Sequence, residues 1–95
     1  MTTEDQEYFA RLVGRAIAQE RALLPLIGSS QKGDAEALHG LLQMNFEMGR
    51  TQIPGRLAEA GLPADLQRMA EDGFYTTTKA ILDGVKNGKY IVPTR

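Results

Sequence analysis

Cysteine is absent from this chain of 95 residues, which removes disulfide frameworks, thiolate metal sites and cysteine nucleophiles together. Histidine occurs once, and the lack of a second one argues against a di-metal centre in a helical bundle. An excess of either charge is missing too: 11 basic and 12 acidic residues leave a net charge of −1. Such a balance offers no basic field to a phosphate backbone or an anionic lipid surface, so neither nucleic acid nor membrane is expected as a partner. Apolar runs are a few residues long, far short of the ~20 that a spanning helix requires. The N-terminus is acidic and lacks the positive and apolar regions of a secretory signal, so a cytoplasmic location is expected. No Gly-x-Ser-x-Gly elbow and no Gly-Lys-Ser/Thr phosphate loop occurs, and no cofactor or enzyme class is indicated.

What the chain does carry is helical period. Phe9, Val13, Ala16, Glu20, Leu23 and Ile27 recur at steps of three and four, and a second such row holds Leu38, Leu41, Asn45 and Met48. The first helix is expected to start at Thr3, with Gln6 completing a capping box, and to end near Leu24, where Pro25 blocks continuation. Ala10, Gly14, Ala18 and Ala22 form a small-residue edge that would let another backbone approach, unless alanine is there only as a good helix former. Gly28 to Gly33 reads as a loop, with Asp34 capping a second helix from about Ala35 to Thr51. The polar arc of that helix is narrow (Glu36, His39, Gly40, Gln43, Glu47, Arg50), which marks it as the central helix.

Pro54 opens a short helix that Gly61 closes with a left-handed cap, and Pro63 opens the last helix. That helix runs in phase through Leu66, Met69, Ala70, Gly73, Thr77, Ile81 and Val85, with a break near Asp72 as the alternative. Asn87-Gly88 ends it, and the β-prone tail Lys89-Tyr90-Ile91-Val92-Pro93 packs back or reaches a partner. The expectation is a single all-α domain over residues 1–95: a small helical bundle of three long helices, a short connecting helix and an extended C-terminal tail.

Each of the two apolar rows contains one polar residue. A buried Glu20 would be desolvated, with its carboxyl pushed upward unless a cation met it; Asn45, Arg50, Arg56 or a second copy of Glu20 are candidate partners. The plainer reading is that Glu20 reaches water or pairs with an arginine for structure alone. Asn45, followed one turn later by Gly49, suggests an interface, because an amide on a heptad seam fixes register and oligomer state; a bond to neighbouring backbone is the alternative. Glu36-x-x-His39 resembles half of a bundle metal motif but lies on the wet stripe. Phe9, Phe46 and Phe74 are expected in the core, and Tyr8, Tyr75 and Tyr90 at wet edges.

From Ile53 to Met69 the pattern Ile-Pro-x-x-Leu-x-x-x-Gly-Leu-Pro-x-x-Leu-x-x-Met resembles part of the C-terminal helical domain of iron-dependent alcohol dehydrogenases. The likeness consists of helix-turn punctuation, that family's nucleotide-binding domain and metal-binding histidines have no counterpart, and no activity is carried over. The stretch from Arg56 to Gln67 also reads as a helix-turn-helix, though a second helix offering Ala64, Asp65, Gln67 and Arg68 is poor in base-reading side chains. The leading expectation is a non-enzymatic interaction protein, a homodimer or a small accessory subunit docking on a larger protein, with Glu20, Asn45, Gly49 and Arg50 at the interface or as buried polars. The alternatives are a small-molecule-binding or catalytic bundle using Glu20, Asn45 and Arg50, and a weak DNA-binding module.

Overall fold

A computed structural model describes residues 2–29 and 35–86. It is all-α: α1 (Thr3–Ser29), α2 (Ala35–Arg50), the short α3 (Ile53–Glu59), a single 3₁₀ turn (Ala64–Leu66) and α4 (Gln67–Lys86), with no strand among the described residues. The Asp34 cap, Asn87-Gly88 and the tail through Pro93, Tyr90 included, lie outside the described residues.

The capping box sits one residue earlier than the sequence suggests. The Asp5 N–H donates to Thr2 Oγ1 at 3.2 Å and the Thr2 N–H donates to Asp5 Oδ2 at 3.3 Å, so Thr2 is the cap. Two adjacent threonines compete for that place, and the carboxylate three residues after Thr2 decides it. At the other end α1 passes through Pro25 and takes in Gly28 and Ser29, which the sequence places in a loop. An interior proline costs about 3 kcal/mol through its missing N–H and its clash with the carbonyl of residue 21. Pro25 and Ala22 are both buried, and that packing offsets the cost.

α1, and not α2, is the central helix. It carries the whole small-residue edge (Ala10, Gly14, Ala18, Ala22) into the interior, against α4. Gly14 faces the backbone of Ala70 and Phe74, while Gly73 of α4 faces the backbone of Arg11. A Cβ on either glycine would overlap the opposing carbonyl oxygen, so the two backbones touch at a pair of reciprocal glycines. Close approach is also why α4 keeps Gly73 in mid-helix, and it is continuous there. Progress along the two helices is parallel: Arg11 lies beside Gly73, and Ala22 and Leu23 share a groove with Ala80 and Ile81.

α2 covers α1 and α4 from one side. Its inner row is Leu38, Leu42, Phe46 and Gly49, all buried, with Gly49 against Ile17, Arg21 and Phe74. The rings of Phe46 and Phe74 meet edge-to-face at 6.3 Å. The sequence row containing Asn45 is therefore not the inner one.

α3 closes the other side. Ile53 and Leu57, one turn apart, are fully buried, and each adds roughly 1.5–3 kcal/mol of burial. Its end follows the sequence reading: Gly61 has φ of 73°, the Gly61 N–H donates to the Ala58 carbonyl at 3.0 Å and the Leu62 N–H to the Leu57 carbonyl at 3.0 Å. These two bonds form a Schellman cap, after which the extended Pro63 starts the 3₁₀ turn that leads into α4. The core row of α4 is Ala70, Phe74, Thr78, Ile81 and Val85, continued at its start by Leu66 of the 3₁₀ turn. Thr78, at 6 % exposure, donates its hydroxyl to the Tyr75 carbonyl, and among the described residues no buried side-chain polar atom lacks a partner.

Candidate interaction surface

Glu20 and Asn45 are not enclosed between helices. The Glu20 side chain is 58 % exposed and makes a two-pronged ion pair with Arg56 of α3: Nη2 donates to Oε2 at 2.8 Å and Nη1 to Oε1 at 3.1 Å. The paired hydrogen bonds and the charge of Arg56, helped by Arg21, hold the Glu20 carboxyl below its ordinary value against a weaker opposing effect of burial. The Arg56 guanidinium is raised for the same reason, first by its bond to Glu20. A depressed carboxyl with both oxygens occupied is ill suited to act as a base near neutral pH. It clips α3 to α1.

Asn45 is half-buried and its Nδ2 donates to the Leu41 carbonyl of its own helix at 3.0 Å. Gly49 is buried by α1, and Arg50 is exposed; no hydrogen bond or ion pair joins Glu20, Asn45 and Arg50 into one site. Of the sequence candidates, the structure brings only Glu20 and Arg56 together. His39 is half-buried, and no group of three metal-ligating side chains occurs among the described residues.

The exposed feature that the sequence reading misplaced is the outer face of α2. Leu41, Met44 and Met48 are 47 %, 65 % and 54 % exposed on one stripe, at steps of three and four, with Asn45 at its edge. Leu41 and Met48 belong to the row that the sequence assigns to packing, and the true inner row lies about 100° further round the helix. The signal was present: α2 has apolar residues enough for two rows, and only one can face the core. Gly40 lies beside the stripe, and among the described residues no neighbouring element comes within 4 Å of where its Cβ would be. Gly14, Gly49 and Gly73 are each explained by a neighbour within the fold, and Gly40 is not.

A second exposed apolar feature is a groove of about 620 Å³ between α1 and α3, lined by Phe9, Leu12, Val13, Ala16, Arg56 and Leu62. Phe9, expected in the core, is 44 % exposed there. The first half of the α1 apolar row, Phe9, Val13 and Ala16, therefore faces a half-open groove beside α3. Tyr8 and Tyr75 lie at wet edges as expected, and Phe46 and Phe74 are core. No helix among the described residues is long and apolar enough to cross a membrane. No family model, curated protein or solved structure matches the chain.

Proposed function

We propose that the chain is a non-enzymatic interaction protein that self-associates or docks as a small accessory subunit, using the outer face of α2. The observation that carries this reading is the exposed stripe of Leu41, Met44 and Met48. Three large apolar side chains in register on one helix resemble the anchor row of a helix-in-groove contact. Methionines suit such a face, because their unbranched side chains adapt to a partner's shape. Gly40, open on the same side, leaves room for a second backbone at the cost of roughly 1 kcal/mol of helix propensity relative to alanine.

The test pairs light scattering with Met44→Asp/Met48→Asp. Both side chains are exposed, so the variant keeps its fold while losing self-association or binding of an apolar-surface dye. A wild-type chain that is strictly monomeric at high micromolar concentration, and binds no such dye, sinks the reading. A small-molecule role draws its support from the α1/α3 groove, whose size falls within the roughly 300–1,000 Å³ of ligand pockets. In that reading the apolar wall carries the binding, since the Arg56 guanidinium is taken by Glu20, and Leu12→Asp would abolish it.

A further inference from the structure

On the outside of α1, Glu4, Tyr8, Arg11 and Arg15 follow steps of four, three and four, and all four are exposed. At 100° per residue they fall within an arc of about 60°, so they form one ridge. On one side of the ridge lies the α1/α3 groove described above, and on the other Tyr8, Arg11 and Arg15 form the α1 wall of a smaller depression of about 240 Å³, with Asp72 on its α4 wall.

Among the described residues, the charges on this ridge have no partners of opposite sign. Glu4 and Arg15 make no ion pair among the described residues, and Arg11 donates only to the thioether of Met69, at 3.1 Å. Tyr8 is 60 % exposed, its ring edge-to-face with Phe9 at 5.8 Å. A ridge carrying both signs, with Asp72 beside the arginines, is poorly matched to a small anion. It is well matched to its own reverse.

We propose that the α1 ridge is a homodimer contact in which a second copy of α1 lies antiparallel across it, placing Glu4 opposite Arg15 and Tyr8 opposite Arg11. The two-fold axis passes level with the Phe9–Ala10 peptide, and every pair occurs twice. Glu4 meets a guanidinium at both ends of a contact about 17 Å long, and each Tyr8 ring receives Arg11 on its face. The order of charges, acid in the first turn and base in the third and fourth, is what an isologous antiparallel pair requires, and a parallel one would set like charges together. The inference goes beyond the α2 reading, since it concerns a different face and names the partner.

The experiment uses two charge-reversed chains. Glu4→Arg alone sets arginine against Arg15, and Arg15→Glu alone sets glutamate against Glu4, so each lowers self-association tenfold or more. Mixed in equal amounts the two variants restore both pairs, and a heterodimer forms at wild-type strength. Circular dichroism confirms that each variant stays helical. If neither reversal weakens self-association while Met44→Asp/Met48→Asp does, the α1 contact is overturned and the α2 reading stands. If both reversals weaken it and mixing fails to restore it, the pairing is also overturned. A wild-type chain that is monomeric throughout overturns it as well.

Discussion

Single atoms decide the tightest seam. A methyl group on Gly73 would overlap the Arg11 carbonyl oxygen and one on Gly14 that of Ala70, and backbone cannot move aside as a flexible side chain can. Gly73→Ala should therefore destabilise by about 1–3 kcal/mol or more, despite alanine's better helix propensity. Gly40→Ala meets open space and should stabilise by up to about 1 kcal/mol. Urea titration of the two variants checks both, and equal effects would remove the distinction between a filled and an open glycine. Glu20 offers a further residue-scale measurement. Because its folded carboxyl is held below the ordinary value, the Arg56 bridge contributes fully above the unfolded pKa and is lost as pH falls through the folded one. The pair is largely exposed, so Glu20→Gln should cost at most about 1 kcal/mol near neutral pH and nothing once acid has protonated the wild-type carboxyl. Urea midpoints on either side of the transition test that sign.

At the scale of elements, the sequence announces helices clearly and their faces less so. The Pro54 start and the left-handed Gly61 end of α3 were readable because they depend on neighbouring residues alone. Gly61→Ala should cost roughly 1 kcal/mol by forcing a side chain into positive φ, a value that thermal unfolding can check. The passage of α1 through Pro25 was not readable, since it depends on the burial of Pro25 and Ala22 against other elements. The same limit explains α2. Its two apolar rows share Leu38 and look equivalent beyond it, and only the positions of Phe74 and Ile17, against Phe46 and Gly49, select the row through Leu42 as the inner one. Glu20 looks discordant in an apolar row, and the plainer of its two readings, an arginine pair open to water, is the one the structure shows; nothing local decides between them, because the choice depends on where α3 places Arg56.

For the molecule as a whole, an all-α bundle was legible from the helical period, whereas the identity of the central helix was not. Helix α2 has the narrowest polar arc, yet the small residues of α1 permit the closest packing, and proximity of backbones prevailed over breadth of apolar surface. The described chain is elongated, 46 by 19 by 19 Å, and presents apolar or unpaired charged residues along two separate helices. If association through α1 contributes to stability, the thermal midpoint rises with protein concentration in the wild type and stays flat for Arg15→Glu. A midpoint independent of concentration in both chains contradicts that coupling.

The reciprocal glycines join α1 to α4, so the main seam cannot close until α4 has left the ribosome. A nascent chain ending at Leu62 holds α1, α2 and α3 with the small-residue edge of α1 bare of its α4 partner. Assembly is thus deferred until α4 is made, and loop closure over some sixty intervening residues slows it relative to a bundle whose neighbours in sequence are its neighbours in space.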